Sequence, residues 1–217
     1  MKNLIYKELH LATPLLTYLF LGFTLMTFIP GYPILCGAFF VCFGIFQSYQ
    51  TGREDRDIVY SVLLPVKKTD VVRAKFASAA LLQMAAFLLC ALFTGIRMAF
   101  LADAPVYTTN VLMGANPVFL AFVLLIFAAF NVVFIGGFFR TAHNFGKPFV
   151  AFIAVTFILI ALAETLHHLP GLGWMNVLDF TCLGRQSCIL LAAVILYAAA
   201  TATACRLSQR RFERIDL

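Results

Sequence analysis

Chemically capable side chains are few in this sequence, and they are grouped. The densest group runs from Arg53 to Lys75, REDRDIVYSVLLPVKKTDVVRAK. Its cations are Arg53, Arg56, Lys67, Lys68, Arg73 and Lys75, and its carboxylates are Glu54, Asp55, Asp57 and Asp70. Val62, Leu63, Leu64, Val66, Val71 and Val72 are threaded between the charges, and Pro65 divides the stretch. Charges of both signs interleaved with apolar residues suit ion pairing and protein contact rather than bond-making. Arg97 and Glu164 stand alone inside apolar runs. His167 and His168 are adjacent; helix neighbours point about 100° apart and seldom hold one metal together, so they read as interfacial histidines. Cys182 and Cys188 flank a connection, as a disulfide or as two free thiols. Cys36, Cys42, Cys90 and Cys205 lie in apolar runs, where cysteine behaves as a small hydrophobe. No G-x-x-x-x-G-K-[ST], H-E-x-x-H, G-x-S-x-G or C-x-x-C occurs. The expectation is a non-enzymatic chain with no catalytic residue, no metal and no nucleotide site of its own.

The elements that must position these groups are membrane spans. The chain has 217 residues, 62% hydrophobic and 12% charged, against roughly 25% charged in soluble domains. A soluble fold could not hide this much apolar surface. We expect one all-α integral membrane domain over 1–217. Six spans follow, at 15–29, 34–49, 76–101, 118–139, 148–166 and 187–206. Residues 1–13 form an interfacial amphipathic helix, with Met1, Leu4, Ile5, Leu9, Leu11 and Ala12 on one side and Lys2, Asn3, Tyr6, Lys7 and His10 on the other. Glu8 falls on the apolar side and breaks the pattern. A cleavable signal peptide is the competing reading, disfavoured by the long apolar run that follows and by the lack of a small-residue cleavage site.

With six spans, the charges sort. Lys2, Lys7, the six cations of the 51–75 loop, Arg140, Lys147, Arg206, Arg210, Arg211 and Arg214 share one side, 14 of the 16 Lys and Arg. The positive-inside rule places that side, with both termini, in the cytoplasm. The net charge of +6 is then accounted for without nucleic acid. Arg97, about 21 residues past Phe76, lies roughly 32 Å along its helix, near the outer edge. Glu164, about 16 residues past Pro148, lies roughly 24 Å along, within the outer leaflet. Either the two form an intramembrane pair, or each reaches the outer headgroups separately; Glu164 facing a translocation path is a further reading.

The run Ser61 to Phe76, SVLLPVKKTDVVRAKF, resembles permease subunits of type-2 ABC (ATP-binding cassette) exporters. Such permeases carry leucine, proline, a small apolar residue and a basic residue, followed by an acid, an apolar pair and a lysine, between the second and third spans. The N-terminal amphipathic helix and the six spans extend the likeness over nearly the whole chain. Size and loop are most similar to the permeases of bacterial phenol-soluble modulin exporters, which expel amphipathic peptide toxins.

The resemblance implies a homodimer seated on two copies of a separate ATPase, with ATP and Mg in that partner and no cofactor here. A coupling helix at about Lys67 to Arg73 would enter the ATPase, with Arg53, Glu54, Asp55, Arg56 and Asp57 in a neighbouring cytoplasmic helix. Leu64, Pro65, Val66, Lys67, Lys68, Asp70 and Arg73 complete the coupling set. The first and fifth spans would form the dimer seam, and 167–185 would re-enter the membrane from outside. The function so implied is export of hydrophobic or amphipathic substrates, peptides first, from a bacterial cytoplasmic membrane. Export of small lipophilic drugs or ions, a non-transporting immunity or sensor protein, and a lipid-modifying membrane enzyme are the alternatives.

Overall fold

Backbone N–H and C=O groups buried in lipid must pair within the chain, which favours helices in a sequence this apolar. The structure, a computed structural model, describes residues 1–63, 65–141 and 144–214, with the backbone alone at 58, 59 and 62. The described residues form helices and contain no strand. In order these are α1 (Lys2–Ala12), α2 (Leu15–Phe28), α3 (Cys36–Glu54), α4 (Asp57–Leu63), α5 (Lys68–Phe100), α6 (Pro105–Thr108), α7 (Pro117–Phe138), α8 (Gly146–Leu166) and α9 (Leu183–Phe212).

The N-terminal helix is wound in two ways: Lys2–Lys7 is α-helical and Glu8–Ala12 is a π-helical turn. The Thr13 hydroxyl donates to the Glu8 carbonyl at 2.7 Å. Pro14, in extended conformation, then turns the chain by 90° into α2. The second helix is five α-helical residues followed by nine in 3-10 geometry. At about 1.5 and 2.0 Å rise per residue these reach roughly 25 Å, further than the same residues would as α-helix. Two glycines of α3 let α2 lie close against it. A Cβ on Gly44 would stand 2.5 Å from Phe20 Cβ, and one on Gly37 2.7 Å from the Phe23 carbonyl oxygen. The Thr17 hydroxyl donates to the Gly44 carbonyl at 2.7 Å across this contact.

α7 is the central helix. Of its apolar window 78% is buried, against 17% for the last helix and its preceding turn. Its start is well specified: Pro117 occupies the first turn, and the Asn116 side chain accepts from Phe119 N at 3.0 Å. Around it the aromatic residues interdigitate, with Phe46 stacked on Phe149 at 3.8 Å and Phe130 edge-on to Phe152 at 5.0 Å. A π-helical turn, Phe130–Ile135, interrupts α7.

At one end of the bundle, the 101–116 connection is bound to the turns that follow α8. Gly114 N donates to Asn176 Oδ1 at 2.6 Å and Asn116 Nδ2 to the Met175 carbonyl at 2.8 Å, while Gln186 Nε2 of α9 donates to the Trp174 carbonyl of the same turns at 3.0 Å. Within 167–185 the chain makes two short 3-10 turns, Gly173–Asn176 and Phe180–Cys182.

Among the described residues, four helical segments are long and apolar enough to cross a membrane: α5, α7, α8 and Phe180–Phe212. A fifth is counted if the bent pair α1 and α2 makes one span. The expected spans at 15–29 and 34–49 correspond to α2 and α3, which fall outside that set by themselves. α2 is short, and α3 turns polar after Phe46, at Gln47 to Glu54. The helix that carries the expected 76–101 span starts before it, at Lys68. α5 runs unbroken for 33 residues from Lys68, roughly 50 Å, because nothing after Pro65 and the extended Lys67 breaks it.

Candidate functional site

The site lies where α1, α4 and α5 meet. α4 is seven residues long, and helical spacing gives it two faces. Asp57 and Ser61, four apart, point inward, and Ser61 is 2% exposed. Tyr60 and Leu63, three apart, point outward and are 63% and 77% exposed. A short helix on a two-residue turn does not hold itself in place; the inner face anchors it.

That anchor is a ring of alternating charge. Lys7 Nζ lies 2.6 Å from Asp57 Oδ1 and 3.0 Å from Glu8 Oε1. Lys75 Nζ lies 2.8 Å from Glu8 Oε2 and 2.9 Å from Asp57 Oδ2. Lys7 also donates to the Ser61 hydroxyl at 2.7 Å. Both carboxylates thus bridge both ammonium groups, and the four formal charges cancel. Lys75 and Glu8 are buried, and the Lys75 ammonium stands 5.6 Å from the centre of the Tyr49 ring. Tyr49, whose hydroxyl has no protein partner, lines an adjoining cavity of about 10 Å³, room for one water. Burial pushes the Asp57 carboxyl up, but the Lys75 charge and the hydrogen bonds from Lys7 and Lys75 outweigh it and hold it below the usual aspartate value.

This arrangement fastens a small helix, exposed on its far side, to two others: the N-terminal helix through Lys7, and the long α5 through Lys75. The off-pattern position of Glu8 now has a cause, since Glu8 faces inward to meet Lys75. Lys7, Glu8, Tyr60, Ser61, Leu63 and Lys75 were not among the coupling residues expected from sequence. Glu8 was the available signal, as a carboxylate on the otherwise apolar face of the N-terminal helix.

The expected coupling residues are dispersed. Arg53 and Glu54 end α3, and the Arg53 guanidinium sits 4.9 Å from the centre of the Phe145 ring. Asp55 and Arg56 form the turn into α4; Arg56 has φ +52°, a left-handed conformation uncommon for a side-chain-bearing residue. Pro65 and Lys67 are exposed, and Val66 is half-buried. Leu64 lies outside the described residues. The segment Lys67 to Arg73, expected as a separate coupling helix, is instead the entry to α5: Lys67 caps it and Lys68, Asp70 and Arg73 occupy its first two turns. Asp70 and Arg73 make a surface ion pair at 3.7 Å. The free-standing helix of this stretch is α4, on the other side of Pro65.

Arg97 and Glu164 each have other partners. Arg97, 2% exposed, donates through Nη1 to the Thr27 carbonyl at 2.6 Å, and its guanidinium packs 4.0 Å from the Tyr107 ring centre. It therefore holds the C-terminal end of α2 rather than reaching headgroups, and a cation is favoured at that end of a helix. Glu164 Oε2 accepts from Met113 N at 2.8 Å, while its Oε1 is buried without a partner. His167 is buried, its Nε2 3.1 Å from the Val111 carbonyl, so it clasps the same connection. All six cysteines, Cys182 and Cys188 included, are free thiols.

A second polar cluster lies deep in the bundle. Gln83 of α5 and Asn131 of α7 exchange two hydrogen bonds of 3.0 Å; Tyr197 of α9 donates to Gln83 at 2.8 Å, and Asn131 donates to Thr201 at 2.9 Å. Asn131 sits in the π-helical turn of α7. Three helices are joined there by side chains whose polar atoms would otherwise be costly to bury.

Residues 3–210 match the family model described as ABC-2 family transporter protein. No curated protein and no solved structure matches the chain. A match over nearly the whole length agrees with the helical, apolar architecture: the chain belongs to the ABC-2 family of transporter proteins and is an ABC-transporter permease embedded in a membrane.

Proposed function

We propose that the chain is the permease subunit of an ATP-driven exporter and that α4 is the part its ATPase grips. Membership of the family implies an ABC ATPase partner. The observation that carries the proposal is the two-faced α4, with Tyr60 and Leu63 exposed and Asp57 and Ser61 fastened to α1 and α5. ATPase closure can shift the permease between states only through contacts that differ between those states. A helix with one face free and the other ion-paired to two helices suits that task. Arg53, Glu54, Asp55 and Arg56 before α4, and Lys67, Lys68, Asp70 and Arg73 after it, would add charged contacts to the same partner.

In this reading two copies of the permease pair and receive two ATPase subunits, which hold the ATP and Mg and do the hydrolysis. α2 and α3, held close at Gly37 and Gly44, complete a six-helix membrane arrangement, with α1 lying along the inner surface and both termini in the cytoplasm. The substrate class is hydrophobic or amphipathic, with peptides leading. The sequence resemblance of the 61–76 run and the phenylalanine-rich interior support that class.

The test is copurification of the ABC ATPase with the permease, followed by ATP-dependent efflux of an amphipathic peptide from reconstituted vesicles. Peptide movement that needs ATP and both subunits supports the reading. Permease that binds no ATPase, or that moves peptide without it, overturns the reading.

A further inference from the structure

The ends of α7, α8 and α9 that point away from the 101–116 connection enclose a second site. A cavity of about 510 Å³ opens there between the close of α7, the start of α8 and the last turn of α9. Arg140 follows α7, Lys147 begins α8 and Arg211 ends α9; all three line it, and among the described residues no carboxylate does. None of the three is in an ion pair among the described residues. Val132, Val133 and Ala151 give it an apolar side. Gly136 and Gly137 also line it; a Cβ on Gly137 would stand 2.9 Å from Pro148 Cβ, so α7 and α8 touch there.

Three cations around one opening, with no counter-ion among the described residues, repel one another and favour an anion between them. Guanidinium groups match phosphate oxygens in pairs. A phosphate alone would account for the rim but leave the valine wall unused. A molecule with a phosphate at one end and hydrocarbon beside it uses both. Basic pockets between spanning helices at a membrane surface take anionic headgroups in this way. We propose that this cavity binds the phosphate of an anionic phospholipid, with Arg140, Lys147 and Arg211 around the headgroup and Val132, Val133 and Ala151 along the upper acyl chain. The site is separate from α4, and its assignment stands whatever the permease exports.

The experiment is thermal unfolding of the full chain in an uncharged detergent, titrated with phosphatidylglycerol, phosphatidylcholine or inorganic phosphate. Phosphatidylglycerol is expected to raise Tm saturably, and phosphatidylcholine is not. Arg140→Gln, Lys147→Gln and Arg211→Gln are each expected to raise the half-saturating phosphatidylglycerol concentration roughly fivefold. Val132→Trp, which fills the apolar wall and keeps every charge, is expected to weaken lipid binding also. Lys2→Gln with Arg206→Gln and Arg210→Gln removes three basic charges outside the cavity and is expected to leave the titration unchanged. Equal weakening by that outer set, or no shift with phosphatidylglycerol, overturns the site. A shift reproduced by inorganic phosphate and untouched by Val132→Trp overturns the lipid and assigns the cavity to a free phosphate ion.

Discussion

Lys75 Nζ lies 2.8 Å from Glu8 Oε2, across 67 residues of sequence. Both side chains are 6% exposed, so neither charge is relieved by solvent, and loss of either leaves the ring of Lys7, Glu8, Asp57 and Lys75 with an unbalanced buried charge. Removing one partner of a buried pair strands the other and costs about 3–5 kcal/mol, whereas replacing both with apolar residues is often nearly neutral. Lys75→Met should therefore destabilise the protein by about 3–5 kcal/mol. Lys75→Met with Glu8→Leu, which leaves Lys7 and Asp57 matched, should recover most of the loss. Denaturant unfolding of the two single variants and the double variant measures this; additive losses would show that the two charges do not act as a pair.

The folded Asp57 carboxyl is held below its ordinary value, near 3.9 in an unfolded chain. Its contribution to stability is then fully present above about pH 4 and is lost as pH falls through the depressed folded value. Asp57→Asn removes that acid-range slope. Stability measured from neutral pH downward in both forms checks it: the wild type should lose more than the variant below about pH 4.

How much of this was legible in the sequence depends on the range of each interaction. The apolar runs made helices, and Pro65 separated two helical segments, because composition and a missing N–H act locally. The start of α5 at Lys68 was also readable, since helix formers continue without a breaker, yet the charges there suggested an independent helix. The ring of Lys7, Glu8, Asp57 and Lys75 was not readable as a ring. Its members meet only once three helices pack, and the single local trace was Glu8 on the wrong face. Arg97 was harder still, because its partner is the Thr27 carbonyl, and a backbone acceptor leaves no mark in a sequence. The 3-10 winding of α2 and the π-helical turn at Asn131 likewise depend on packing against neighbours.

Arg97 should be sensitive to substitution for its own reasons. It donates to a buried carbonyl and stacks on Tyr107. Arg97→Met should cost about 1.5–3 kcal/mol, and Tyr107→Leu about 1–2 kcal/mol. Reversal of charge at both Arg97 and Glu164 should bring no rescue over either single reversal, since the two have separate partners. Rescue in an unfolding assay would restore the idea of an intramembrane pair.

Close approach of α2 and α3 rests on a missing side chain. Gly44→Ala places a Cβ against Phe20 Cβ at 2.5 Å, an atom fixed to its backbone. Separation of the two helices should cost about 1–3 kcal/mol. A cysteine pair at Thr17 and Gly44 positions would be a poor probe for the same reason, so disulfide-free unfolding of Gly44→Ala is the appropriate measurement; a neutral result would mean that α2 moves freely.

The central claim is that the ATPase holds this permease by the outer face of α4. Its most direct measurement is site-specific photo-crosslinking in cells expressing permease and ABC ATPase together, with the crosslinker at position 60 or 63 and, as comparison, at position 100. Phe100 is 81% exposed at the far end of α5. The account predicts an ATPase adduct from positions 60 and 63 and none from position 100. An ATPase adduct from position 100 with none from either α4 position would contradict it.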